Sequence, residues 1–168
     1  VLKRKYIMSL HTKTILSEPP TNLKLSVEEQ IDLGTKYAKG IDVEQDFEKA
    51  HSYFVSAAAH EHYVAQNALG IFYYHGLIGP VNYNEARNWF ILAALQGYSQ
   101  AQNSLGIMYG QGQGTPIDYE QAFKYYNQAA EQGLPSAQHS LAVMYENGLG
   151  VTQNEVKSVC WYKQSAAQ

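Results

Sequence analysis

The residue types that first suggest chemistry are His60, Glu61, His62 and His75, since imidazole and carboxylate groups are common metal ligands. Their spacing argues against that role. A metal site needs about four ligands converging on one point, and residues two apart on a helix point in different directions. Exposed histidines are the simpler expectation. Cys160 is the single cysteine and stands beside Trp161. A nucleophile needs an activating base, and no Gly-x-Ser-x-Gly, phosphate-loop or His-Glu-x-x-His pattern accompanies it. It reads as a small helix residue. Gly112-Gln113-Gly114 fits part of a dinucleotide fingerprint, but it follows a helix pattern where that fingerprint needs a strand. No catalytic residue, cofactor or metal is expected.

A different set of residues suits recognition. Asn67, Asn103 and His139 lie 36 residues apart, and Ile71, Ile107 and Val143 repeat at the same step. Amide side chains offer a donor and an acceptor together, which matches an extended peptide backbone. The β-branched rail beside them can bury an apolar side chain. By 3.6-residue geometry Tyr74, His75, Gln100, Gly110, Gln111 and Glu146 share this side of their helices. The face is therefore the expected docking surface for a protein or peptide. The plainer alternative is a solvated helix face whose rail packs between helices.

What positions these residues is a repeat. Ala65, Leu69-Gly70, Tyr73 and Gly76 recur as Ala101, Leu105-Gly106, Tyr109 and Gly112, then as Ala137, Leu141-Ala142, Tyr145 and Gly148. Leu33-Gly34, Tyr37 and Gly40 supply an earlier copy. A constant period of this length marks a stacked helical array. Ala65, Leu69 and Tyr73 fall at i, i+4 and i+8, one stripe of a helix. First helices are predicted at 27–39, 63–75, 99–111 and 135–147. Each ends at a glycine suited to a left-handed residue past the helix end. Asp46, Asn82, Asp118 and Asn154 then recur as N-caps of second helices at 46–60, 82–96, 118–132 and 154–167. Those helices carry aromatic pairs (Tyr53-Phe54, Trp89-Phe90, Tyr125-Tyr126, Trp161-Tyr162) followed by small pairs, so large meets small between helices. Gly34, Gly70 and Gly106 sit inside helices, where glycine costs about 0.5–1 kcal/mol relative to alanine. Close approach of a neighbouring helix is the expected reason.

These features resemble the Sel-1-like repeats, relatives of the tetratricopeptide repeats. The match is to Ala-x-x-x-Leu-Gly-x-x-Tyr-x-x-Gly-x-Gly, followed by Asp/Asn-x-x-x-Ala-x-x-Trp-Tyr-x-x-Ala-Ala. The fullest instance runs through Leu105-Gly106, Tyr109, Gly112, Gly114, Asp118, Ala122, Tyr125-Tyr126, Ala129-Ala130 and Gly133. The resemblance covers 27–168, in repeats of about 27–62, 63–98, 99–134 and 135–168. Departures are Asp42 in place of a second loop glycine, Asp32 before Leu33, and Val156, Ser158 and Cys160 in the last helix. The resemblance implies an all-α, right-handed α–α superhelix (a solenoid), with the first helices lining its concave side. It also implies a non-enzymatic adaptor or scaffold of bacterial origin. An immunity protein neutralising a secreted toxin is the more particular alternative, and an enzyme or metal binder the alternative of another class.

Bulk properties agree with a binding role. The 168 residues carry a net charge of −3. Residues 1–26 hold five basic side chains against one acidic, and the remainder seven against fourteen. An acidic body argues against a nucleic-acid partner. No apolar run approaches the roughly 20 residues of a membrane span. With one cysteine no internal disulfide forms, and the cysteine pairs of some secreted relatives are missing. Cytoplasm is the expected compartment, with secretion or the periplasm as the alternative. Residues 1–26, with Pro19-Pro20, lie outside the repeat and are expected to form a frayed extension or a cap through Leu23 and Leu25. The last helix, with Trp161, Tyr162 and Ala166, is expected to leave apolar surface for a homo-oligomer or a partner.

Overall fold

A computed structural model describes residues 25–168, so the reading of the extension lies almost wholly outside the described residues. Among them are eight α-helices and no strand. They are α1 (Val27–Lys39), α2 (Phe47–Ala59), α3 (Tyr63–His75), α4 (Tyr83–Ala94), α5 (Ser99–Gln111), α6 (Tyr119–Glu131), α7 (Pro135–Asn147) and α8 (Glu155–Ala166). The four predicted first helices have the expected bounds. The second helices begin one residue later than predicted, because Asp46, Asn82, Asp118 and Asn154 are themselves the caps. Each side-chain oxygen accepts from the backbone N–H three residues on, at 2.9, 3.1, 2.9 and 2.9 Å. The backbone N–H of the same four residues donates to the carbonyls of Tyr37, Tyr73, Tyr109 and Tyr145 at 2.8–3.0 Å. One residue per repeat thus closes the loop and starts the next helix. The class is the expected all-α tandem repeat.

The contacts fall in two compact units, one ending at Ala65 and one spanning Gln66–Gln168. In the first, α1 opens with the predicted capping box: Glu29 N–H donates to Ser26 Oγ at 3.2 Å, and Ser26 N–H to the Glu29 carboxylate at 2.7 Å. The helix packs on α2. Gly34 lets the Phe54 ring touch the α1 backbone; a Cβ there would stand 2.8 Å from Phe54 Cε1. Tyr37 stacks on Tyr53 at 5.9 Å, with Lys49 Nζ 5.2 Å from the Tyr37 ring centre.

In the second unit each helix from α5 to α8 packs on the one before it. The close-approach glycines recur as expected: a Cβ on Gly70 would lie 2.5 Å from Phe90, and one on Gly106 would lie 2.7 Å from Tyr126. The core runs through Ala86, Phe90, Ala93, Ala101, Leu105 and Met108, then through Ala129, Ala130, Ala137, Leu141 and Tyr145. Small residues facing rings bring helices close enough to exclude water, and that exclusion holds the stack together.

A second ladder accompanies this core, and the sequence reading missed it. Gln66, Gln102 and Gln138 are buried at one repeat position. Their Oε1 atoms accept from Gln96, Gln132 and Gln168 at 2.8, 2.7 and 3.3 Å. Gln102 and Gln138 also donate to the carbonyls of Ala94 and Ala130, at 3.5 and 3.3 Å. Gln102 and Gln138 therefore tie their own hairpins to the end of the preceding second helix. Satisfying a buried amide this way avoids about 1–3 kcal/mol of desolvation cost.

Candidate functional site

The face expected to bind lies on α3, α5 and α7. Exposed on it are Ile71, His75, Gln100, Gln111, His139 and Glu146, while Tyr74, Asn103, Ile107 and Val143 are half-buried. Asn67 is the exception, only 8 % exposed. Its Oδ1 and that of Asn103 are buried and accept no hydrogen bond. The amide pair is thus two shielded acceptors, and a peptide reaches them only if the side chains rotate outward. Tyr74 is committed elsewhere: its hydroxyl donates to Gln113 Oε1 at 2.7 Å, and its ring lies edge-on to Tyr83 at 5.4 Å.

Three of the predicted residues meet at one place. Gln111, His139 and Val143 line a cavity of about 220 Å³ together with Gly110, Ala122, Tyr126, Ser140, Met144 and Leu149. Val143, Met144, Leu149 and Ala122 make the interior apolar. His139, Ser140, Gln111 and the Tyr126 hydroxyl put polar groups beside it. Burial pushes the Tyr126 hydroxyl above its ordinary pKa, with a bond to Ser140 pulling the other way. The site therefore presents a neutral phenol at physiological pH. On the same face His139 lies edge-on to Tyr162 at 5.3 Å, and the Tyr162 hydroxyl donates to Glu146 at 2.8 Å. That bond raises the Tyr162 pKa, burial adding to it. Asn67, Ile71, His75 and Gln100 are on the face but outside this cavity.

Gly110 opens the cavity. The repeat places Tyr74 and Glu146 at the same position, so a full side chain is absent where its neighbours have one. Packing does not demand the glycine, for a Cβ there would meet only Ala122 Cβ at 3.7 Å. Gly106, one turn earlier, is forced by Tyr126. The sequence signal for the cavity was present in the period itself: a helical glycine with no counterpart at 74 or 146.

The other chemistry-bearing residues are dispersed. The His62 Nδ1 accepts from the Val64 N–H at 3.3 Å and its ring stacks on Tyr63. Among the described residues no three His, Cys, Asp or Glu side chains converge to hold a metal ion. Cys160 is exposed on α8. Among the same residues no helix is long and apolar enough to cross a membrane.

Comparison with known proteins agrees with the geometry. The family profile described as the Sel1 repeat matches residues 30–62, 64–98, 99–134 and 135–168. Among solved structures, the chain is similar to c5321, a protective antigen present in uropathogenic Escherichia coli strains and displaying an SLR fold. The identity is 32%, the TM-score 0.82, and the match covers 98% of this chain and 33% of that one. It is likewise similar to a Sel1 repeat protein from Oxalobacter formigenes, at 32% identity and TM-score 0.80, covering 84% of this chain and 57% of that one. The chain thus spans about a third and just over half of these two proteins. No match among curated proteins reaches significance.

Proposed function

We propose, from the premise that the chain belongs to the Sel1 repeat family, that it holds a polypeptide partner on the wall formed by its first helices. Sel1 repeat proteins are generally protein-interaction scaffolds, and their fold is typically non-enzymatic. The partner anchors one apolar side chain in the cavity between α5, α6 and α7, on the side expected to be concave. Gln111, His139 and Glu146 contact its flanks, while Ile71, Ile107 and Val143 provide apolar surface along its path.

The unneeded glycine at position 110 supports this reading most directly. It costs helix stability, no ring requires it, and it leaves an apolar hollow with polar groups beside it. Such a hollow is a usual form of anchor site.

The test is selection from a random peptide library on the immobilised chain, followed by titration of the enriched peptides. Enrichment of a shared apolar anchor is expected. Gly110→Tyr, which places the repeat-two side chain in the hollow, is expected to remain folded and to weaken those peptides at least about tenfold. No enrichment, or equal affinity for the Gly110→Tyr variant, overturns the proposal.

A further inference from the structure

The hollow beside Gly110 has an occupied twin one repeat earlier. Tyr74 holds the equivalent position and carries the ring that the glycine lacks. That ring lies edge-on to Tyr83 at 5.4 Å and to Phe90 at 6.5 Å, and its hydroxyl donates to Gln113 Oε1 at 2.7 Å. One period on, those three neighbours become Tyr119, Tyr126 and Leu149. All three line the cavity. The loop comes down on the same wall in both repeats: a Cβ on Gly114 would strike Tyr83, and one on Gly150 would strike the Tyr119 carbonyl. The hollow is therefore the berth of an aromatic ring from which the ring is missing. Its size of about 220 Å³ agrees, since an apolar cavity of about 150 Å³ holds benzene.

We infer that this berth takes a phenylalanine of the partner, in preference to tyrosine or an aliphatic residue, with a basic residue close to it in the partner's sequence. The inference rests on the reading of the cavity as the partner's anchor site. The preference for a ring follows from the walls. Tyr119 and Tyr126 stand where Tyr83 and Phe90 receive the Tyr74 ring, and edge-to-face pairs attract beyond the area they bury. The choice against tyrosine follows from the far end. Where Gln113 accepts the Tyr74 hydroxyl, the berth has Leu149, so a guest hydroxyl there loses water and gains no acceptor. The basic neighbour follows from charge. Glu146 is the single Asp, Glu, Lys or Arg residue of α3, α5 and α7, and it is exposed. It is joined to the cavity through Tyr162, whose hydroxyl it accepts and whose ring lies against His139. A cation of the partner thus meets one carboxylate and no opposing lysine or arginine on these helices.

Peptides enriched from a random library on the immobilised chain carry the test. Phenylalanine is expected as their shared anchor, with lysine or arginine within about four residues, which an extended chain spans in roughly 13 Å. In one such peptide, exchanging the phenylalanine for tyrosine or for leucine is expected to raise Kd at least about tenfold. Leu149→Gln, which installs the residue of the preceding repeat, restores the acceptor. It is expected to shift the ratio of the two affinities at least about tenfold toward tyrosine. Glu146→Gln keeps an acceptor for Tyr162 and is expected to weaken the basic peptide at least about threefold. Residue 149 lies in a loop and residue 146 is exposed, and matching circular dichroism verifies both folds. An empty selection, or affinity indifferent to Gly110→Tyr, overturns the anchor site itself. Peptides that lose affinity in Gly110→Tyr yet anchor through leucine or tyrosine leave that site standing and overturn the phenylalanine assignment. An unchanged ratio in Leu149→Gln overturns it too, and affinity indifferent to Glu146→Gln overturns the basic flank.

Discussion

The first and third repeats share a frame, and four of the positions at which they differ lie where the frame does its packing. Where the third has Gly114, Phe123, Gln132 and Gly133, the first has Asp42, His51, His60 and Glu61. Asp42 and Glu61 are the non-glycine residues at positive φ among the described residues, 61° and 60°. Lacking the glutamine at position 60, Gln30 donates to the Leu25 carbonyl at 3.1 Å but keeps a buried, unpartnered Oε1. The backbone path survives all four exchanges. What fixes the repeat is therefore the cap, the tyrosine carbonyl and the close-approach glycine, while the remaining positions tune stability.

The sharpest way to break the comparison is to give the later repeats the first one's side chains. Gly150→Ala sets a Cβ 2.1 Å from the Tyr119 carbonyl oxygen at φ +65°. It is expected to cost about 3 kcal/mol or more, read as a fall in the urea midpoint. Asp42→Gly, the reverse exchange, is expected to stabilise by about 1 kcal/mol.

His51 gives the next largest effect. Burial holds its pKa down at about 4 from 6.5. The unfolded chain then binds the proton more tightly, so the contribution is complete above about pH 6.5 and is lost as pH falls toward 4. Its size is up to about 3 kcal/mol. His51→Phe, the residue type at 123, is expected to flatten the difference between unfolding curves at pH 7.5 and pH 4.5; an unchanged difference would assign acid sensitivity elsewhere.

Gln102→Ala removes the partner of Gln132 and of the Ala94 carbonyl, and is expected to cost about 1–3 kcal/mol. Gln30→Leu, whose acceptor is already unsatisfied, is expected to cost far less, and His60→Gln to gain about 1 kcal/mol. Thermal melts rank the three. Smallest is Glu61→Gly, a gain of about 0.5–1 kcal/mol from relieving the left-handed backbone.

The repeat made the helices, caps and close-approach glycines legible, because each rests on local chemistry that a period multiplies. Asp46 and Asn82 announce a helix start whatever surrounds them. The glutamine ladder was hidden: a buried amide and an exposed one look alike in sequence, and the pairing of Gln102 with Gln132 spans 30 residues. The proposed binding face was half legible. Helical geometry placed His139 and Val143 together, but Asn67 is sunk by neighbours that its own helix does not reveal. The last helix, with Trp161 and Tyr162, was expected to leave apolar surface, but which of its side chains are covered is decided by the packing of α8 on α7, which the helix's own sequence does not reveal.

Positions 74, 110 and 146 carry Tyr, Gly and Glu on an otherwise fixed scaffold, with little bearing on how the hairpins hold together at the glycine. Position 110 alone is released from folding duty in this manner, since Tyr74 and Glu146 are tied to Gln113 and Tyr162. Under the proposed function it is the letter that can be rewritten to retarget binding without rebuilding the scaffold.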